Sequence, residues 1–290
     1  MKIVIIGAGN VGTNLHHAFA LKGIKAQLVQ ARTLLDDQMA NDQMVNDADV
    51  YIYTVADKVL VKVINKVNAP KALHIHTSGS VPMLVFGEDK PHAGILYFFQ
   101  SFSKEALIDD WSSIPCFFEG KNIDDVAAIY SLAQTLTNRI YETTQHDRER
   151  LHIAGIFANN YTNLMYRLAK DMLNDTSIPF EVLLPLIDQT AAKVHKISPD
   201  DAQTGPAVRG DFPVLLNHTR IIYEKKDGIL DTPSLLYLYM SLAQCIFDAN
   251  KEKSDDSESF FDQMMKGIEL LGGKMRSAPI PARRHRKSRE

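Results

Sequence analysis

The sequence predicts an α/β fold, a doubly wound parallel sheet, followed by an all-helical second half. Three observations predict it. Up to about residue 145 short apolar runs alternate with helix-period segments, the pattern of repeated βαβ units. The first run, residues 2–6, feeds directly into the glycine-rich turn GAGNVG and a helix-length segment. From residue 146 onward nearly every segment has helical texture, and Pro179, Pro213 and Pro233 stand near helix starts, where a missing N–H is tolerated.

The first element also carries the strongest chemical signal. A strand, a G-x-G-x-x-G turn and a helix N-terminus form the dinucleotide-binding fingerprint of a Rossmann-type domain. Gly7 allows the tight turn, Gly9 lets the backbone approach a pyrophosphate, and Gly12 lets helix and strand pack closely. Asn10 and Val11 start the helix, whose free N–H groups and positive dipole end face the phosphates. Gly23 closes the helix, and the second strand is expected over residues 26–30. NAD-preferring sites place an acidic side chain about 20 residues beyond the glycines to hold the ribose 2′-hydroxyl. Here the stretch reads Gln30, Ala31, Arg32, Thr33. A guanidinium beside a hydroxyl suits a 2′-phosphate, so the expected cofactor is NADP.

Further strands are expected over residues 49–55, 72–76, 94–99, 115–118 and 139–142, with helices over 58–67 and 123–136. Val55, at the end of its strand, joins the expected cofactor contacts. The second half is expected to contain a long helix over 146–174, helices entered near Pro179, Pro213 and Pro233, with Asp231 and Thr232 as candidate N-cap residues for the last of these, and a final helix over 257–271. The implied domains are 1–145 (dinucleotide-binding), 146–273 (helical, substrate and dimerisation) and 274–290, a basic tail read as disordered.

The chain has 290 residues and a formal net charge of −3, which offers no global basic field for nucleic acid. No segment reaches the roughly 18 consecutive apolar residues of a membrane span. A first strand at residue 2 leaves no room for a signal peptide, and Cys116 and Cys245 lack metal-ligand spacing. Both are read as reduced core residues of a cytoplasmic protein, with no metal expected.

In such a fold the substrate is expected in the cleft between the two halves, among loops at the carboxyl ends of the strands. HTSGS, residues 76–80, is one such loop. Ser78 and the Gly79 backbone are candidates to hold a carboxylate or carbonyl, with His76 as a proton donor. A serine-hydrolase reading lacks the G-x-S-x-G elbow. His74 and His76 share a strand face, but no third ligand accompanies them. In LYFFQSFS, residues 96–103, Gln100 is the functional candidate and the aromatics are assigned to the core. On the long helix His152, Asn159 and Asn163 fall within about 20° of one line at 100° per residue, with Asn160 at its edge. Such a stripe needs a ligand or a hydrogen-bonding helix, and both alternatives stand. In AQTGPAVRGD, residues 202–211, Thr204 and Arg209 are candidates for a substrate anion, while Asp211 either orients Arg209 or His218 or caps the next helix.

Taken together, GAGNVG, HTSG, LYFFQSFS, FANNYTN and AQTGPAVRGD closely resemble a bacterial oxidoreductase family with a Rossmann-like NADP-binding domain and a C-terminal domain of unknown function. The resemblance spans about residues 1–273. More distantly the arrangement resembles pyrroline-5-carboxylate reductases, β-hydroxyacid dehydrogenases and deazaflavin-dependent NADP reductases, whose helical domain is often dimerising. It implies a homodimer joined after residue 146. It also exposes a departure: β-hydroxyacid dehydrogenases carry a lysine four residues before an asparagine on the first long helix, and the matching positions here are Gly155 and Ile156. His152, one turn earlier, is the nearest titratable substitute. The expected activity is hydride transfer between NADP(H) and a small carbonyl or imine; a non-catalytic NADP-binding sensor or scaffold is the alternative.

Overall fold

The computed structural model describes residues 1–35, 47–225, 227–250, 259–262 and 264. These fall into two compact units, divided between Asn163 and Leu164.

The first unit is a seven-stranded sheet in the order β2-β1-β3-β4-β5-β6-β7. Its strands are β1 (Ile3–Ile6), β2 (Ala26–Val29), β3 (Val50–Tyr53), β4 (Leu73–His76), β5 (Ala93–Phe98), β6 (Cys116–Gly120) and β7 (Ile140–Glu142). Strands β1 to β5 pair in parallel, so their carboxyl ends lie along one edge. Helices α1 (Asn10–Leu21), α2 (Ala31–Leu35), α3 (Asp57–Ile64) and α4 (Ile123–Gln134) connect or cover them. The apolar runs are continuous because both faces of the sheet are buried. Ile3, Ile5, Ile52, Ile75 and Leu96 lie in one core cluster with Leu15 and Phe19 of α1, while Val4, Ile6, Tyr51 and Tyr53 lie in another with Leu60 and Val63 of α3.

One strand departs from the expected parallel sheet. β6 runs antiparallel to β5. A parallel neighbour requires a crossover helix, and none lies in the link over residues 99–115. That link is instead pinned by Trp111, which packs edge-on against Phe98 and stacks on Phe102. The parallel register resumes between β6 and β7, which α4 joins.

The expected helix over 146–174 is three consecutive segments: α5 (Gln145–Gly155), a π-helical stretch (Ile156–Tyr161) and α6 (Thr162–Leu173). Thr144 caps α5 by accepting from the Asp147 N–H. The compact units divide inside this run rather than at the expected boundary near residue 145, because α5 packs on the sheet. Arg148 bonds Glu119 of β6, and His152 bonds Tyr97 of β5.

The second unit contains α6, a 3₁₀ turn (Phe180–Leu183), α7 (Leu184–Lys193), α8 (Pro199–Ala202), α9 (Phe212–Glu224) and α10 (Thr232–Ala249). Asp231 caps α10, accepting from the Ser234 N–H at 2.7 Å, ahead of Pro233 in its first turn. Phe212, Leu215, Leu216, Ala243 and Phe247 form one core cluster of this unit, and Leu168, Ile222, Leu235 and Leu236 another. Cys116 is buried, as expected, but Cys245 is exposed, because it lies on the outer face of α10. Of the expected final helix only residues 259–262 and 264 are described; the tail 274–290 lies outside the described residues. No helix among the described residues is long and apolar enough to cross a membrane.

Candidate active site

Two concave sites open at the edge where β1 to β5 end. The first surrounds the glycine-rich turn. Gly7 has φ +122°, and a Cβ there would lie 2.7 Å from the Thr54 carbonyl oxygen. At Gly12 it would collide with the Gly7 carbonyl and Thr54 Oγ1, whereas at Gly9 it would meet none of the described residues within 4 Å. Two glycines therefore close the turn against β3, and the third leaves backbone open to a ligand. The Thr54 hydroxyl locks the turn by donating to the Gly7 carbonyl at 2.7 Å. Gly9 caps α1 without a side-chain bond, so the first N–H groups, those of Asn10, Val11 and Gly12, are left for a ligand. The cleft, about 430 Å³, is lined by Gly7, Gly9, Arg32 and Val55, with Gln30, Thr54, Ala56 and Val59. Arg32 is exposed and, among the described residues, its guanidinium has no hydrogen-bond or ion-pair partner. Thr33 sits beside it in α2 but does not line the cleft. β1 lies between β2 and β3, the place where strand order reverses and open α/β sheets bind ligands. An open glycine, a helix start without a side-chain cap and an unpaired arginine suit a phosphorylated dinucleotide.

The second site lies beyond the end of β5. It is a cavity of about 370 Å³, lined by Tyr97, Phe99, Gln100, Ser101, His152, Gly155, Ile156, Ala158, Asn159 and Asn160. Tyr97 Oη and His152 Nδ1 are 3.1 Å apart. Gly79 is what permits this pairing, since a Cβ there would lie 2.7 Å from His152 Nδ1 and 2.9 Å from Tyr97 Cζ. Beneath the pair runs Arg148, whose side chain is fully buried. Its Nε donates to Glu119 Oε1 at 2.7 Å and its Nη1 to the Ser78 carbonyl at 3.1 Å, while Nη2 has no partner among the described residues. Burial raises the Tyr97 hydroxyl above its usual range, and the Arg148 charge opposes that rise.

The structure thus gathers His152, Gln100, Asn159 and Asn160 around one cavity, with Gly79 behind it. Asn163 leaves this group and is exposed. The cause is the π-helical stretch, which fits more residues into each turn and rotates the residues after it out of the 100° register. The Thr162 hydroxyl shows the wider turn, donating five residues back to the Phe157 carbonyl at 3.0 Å. The aromatics of LYFFQSFS divide: Phe98 is core, but Tyr97 and Phe99 line the cavity. Strand alternation was the available signal for them, since residues 97 and 99 share a face. Gly155, in the place of the β-hydroxyacid dehydrogenase lysine, abuts Phe99: a Cβ there would lie 2.7 Å from the ring.

His76 has a different place from the one expected. It is fully buried, stacks on Phe86 at 5.5 Å, and accepts from the Ser78 N–H at Nδ1, while Nε2 has no hydrogen-bond partner among the described residues. Burial first, then the Arg148 charge, lowers its pKa to about 3. His74 is also buried, held by the Tyr53 hydroxyl at 2.8 Å and the Ala69 carbonyl at 2.9 Å, and burial lowers it to about 4. The Ser78 hydroxyl faces its own loop, accepting from the N–H groups of Ser80 and Val81. Thr204 and Arg209 belong to the second unit, where both are exposed. Asp211 precedes α9 without a side-chain cap, and His218 instead pairs with Tyr239 at 2.6 Å. Asn14 escaped the sequence reading altogether: fully buried, it joins α1 to the loop after β5, with Nδ2 donating to the Ser103 carbonyl and Oδ1 accepting from the Ile108 N–H.

Comparison with known proteins gives a consistent result. Residues 114–246 match a family described as a domain of unknown function, DUF2520. The crystal structure of a putative NADP oxidoreductase from Bacteroides fragilis is similar, with 35% identity and a TM-score of 0.73 over 85% of this chain and 98% of that one. An imine reductase from Streptomyces aurantiacus shares the fold at 12% identity and a TM-score of 0.57, covering 92% and 99% of the two chains. So does a pyrroline carboxylate reductase from Plasmodium falciparum with NADP bound, at 14% identity and 0.52, covering 88% and 98%. A search of curated proteins finds no match.

Proposed function

The chain belongs to the oxidoreductase family that joins a Rossmann-like domain to DUF2520, and we propose that it is an NADP-dependent reductase or dehydrogenase acting on a small carbonyl or imine. One observation carries the proposal. The Tyr97–His152 pair, a proton-transfer group, faces a cavity on the same sheet edge as the glycine-rich turn. When bound, the nicotinamide supplies the hydride chemistry.

The remaining work belongs to this chain's own residues. Gly7, Gly9 and the first N–H groups of α1, those of Asn10, Val11 and Gly12, receive the pyrophosphate. Arg32, with Thr33 beside it, receives the 2′-phosphate, and Val55 flanks the cofactor. Gln100, Ser101, Asn159 and Asn160 offer amide and hydroxyl groups that orient a polar substrate. Half-buried His152, paired with the Tyr97 hydroxyl, serves the proton transfer. Neutral His76 is better placed to hold the loop of Ser78 and Gly79 than to donate a proton. The proposal includes a homodimer joined through the helical unit. Its support is the exposure of Ile221, Tyr223, Tyr237 and Leu242, with a mostly apolar groove of about 270 Å³ between α6, α9 and α10. It also includes a reducing, cytoplasmic setting, consistent with the buried thiol of Cys116.

The test is NADPH oxidation with a panel of small cyclic imines, aldehydes and ketones. Turnover above the rate without protein is expected for at least one. Tight NADPH binding with no turnover on any member favours the sensor reading and overturns the catalytic one. His152→Ala is expected to leave NADPH affinity unchanged and lower turnover about 100-fold. Loss of stability with normal turnover would make His152 a structural residue.

A further inference from the structure

We propose that Tyr97 is the group that hands the proton to the substrate, with His152 as its relay to solvent and Arg148, anchored by Glu119, as the positioning residue that stabilises the phenolate. The inference rests on the oxidoreductase reading above and assigns its proton path.

Two contacts of Arg148 and its place on α5 bring it near Tyr97. Arg148 and His152 are one turn apart on α5 and share a face, and His152 bonds the Tyr97 hydroxyl. Arg148 holds the Ser78 carbonyl, whose neighbour Gly79 packs on both Tyr97 and His152. It also bonds Glu119, which pairs across the sheet with Ile95, two residues from Tyr97 on the same strand face. A fully buried guanidinium with one nitrogen left unpaired is costly to fold around. Glu119 compensates part of that charge, and what reaches Tyr97 favours the phenolate against the larger, opposing effect of burial. The charged and titratable groups around Tyr97 are His152 and Arg148 from α5, Glu119 from β6, and His76 from β4, itself held neutral by burial and by Arg148.

Reduction of a C=O or C=N bond requires a hydride at carbon, from the reduced nicotinamide of the proposed function, and a proton at oxygen or nitrogen. The Tyr97 O–H bond breaks, its proton goes to the substrate heteroatom, and the electron pair stays on Oη beside Arg148. In the tautomer with hydrogen on Nδ1, His152 passes that proton to Oη while Nε2, which has no protein partner among the described residues, takes one from water. One solvent proton is consumed per turnover and Tyr97 is restored; His152, left with hydrogen on Nε2, regains the Nδ1–H tautomer by proton exchange with water before the next turnover.

The test combines turnover with a measurement that needs no substrate. Tyr97→Phe is expected to keep NADPH affinity and melting temperature while lowering turnover about 100-fold or more. In protein carrying ¹³Cζ-labelled tyrosine, with the Tyr97 resonance assigned by its loss in Tyr97→Phe, the phenol should titrate at higher pH in Arg148→Met and recover in Arg148→Lys. Glu119→Gln, which leaves the arginine charge uncompensated, should move the titration down, and it decides the matter should Arg148→Met not fold. Site-specific 3-fluorotyrosine at position 97 should carry the alkaline limb of the turnover profile to lower pH. Turnover that survives Tyr97→Phe, or a phenol titration indifferent to Arg148 and Glu119, overturns this inference alone. Absence of any turnover in the unmodified protein defeats the proposed function and the inference with it.

Discussion

Acid should destabilise the sheet unit through His74 and His76, and by a magnitude the structure sets. Both imidazoles are fully buried on β4, and their pKa values fall from 6.5 to about 4 and about 3. Because the folded-state values lie below the unfolded one, the stabilisation is fully present above pH 6.5 and is lost progressively as pH falls towards 4 and 3. At about pH 5 each unfolded imidazole is nearly all protonated and its folded counterpart is not. Each then removes about 2 kcal/mol relative to pH 7.5, about 4 kcal/mol for the pair, a large share of ordinary domain stability. Trp111 is the sole tryptophan and is buried in this unit, so its fluorescence during urea unfolding reports the relevant transition. His76→Asn should be less stable than the parent at neutral pH yet lose about 2 kcal/mol less on acidification. The same loss in parent and variant would mean that His76 is solvated or charged in the folded state. It would also return His76 to the set of candidate acids.

Other expectations rest on single features. Arg32→Ala should erase most of a preference for NADPH over NADH, costing about 1.5–3 kcal/mol of NADPH binding by calorimetric titration; equal affinities in the unmodified protein would refute the 2′-phosphate assignment. Gly79→Ala should force Tyr97 and His152 apart, costing about 1–3 kcal/mol of stability and lowering turnover while NADPH affinity is kept. Sedimentation at micromolar concentration should show a dimer, and charged replacements at Ile221 and Leu242 should dissociate it; a monomer at all concentrations would remove that part of the proposal.

What the chain's sequence determined by itself was local in origin. GAGNVG specifies a turn through backbone constraints carried by the glycines, and an apolar run of β-branched residues before it specifies a doubly covered strand. Asp231 ahead of Pro233 specifies a helix start by a hydrogen bond three residues long. The missing acidic residue near Arg32 was likewise readable, because the second strand delivers its end to the turn in every such unit. His152 with Asn159 and Asn160 was legible as a helical stripe, but Asn163 was not excluded, since the π-helical stretch leaves no mark in a 100° periodicity.

Tertiary structure decided the rest, because the remaining contacts join residues far apart in the chain. Whether His76 is an acid or a buried neutral ring depends on what covers the end of β4, and Phe86 and Arg148 cover it. Tyr97 reads as one more core aromatic until β5, the loop of Gly79 and α5 bring its hydroxyl to His152. Arg148 carries no signal in the sequence; its burial comes from Glu119 and Ser78, far from it in the chain. Periodicity encodes which face of an element is apolar, but burial and charge at a point are sums over neighbours from several elements, and only the packed chain supplies those neighbours.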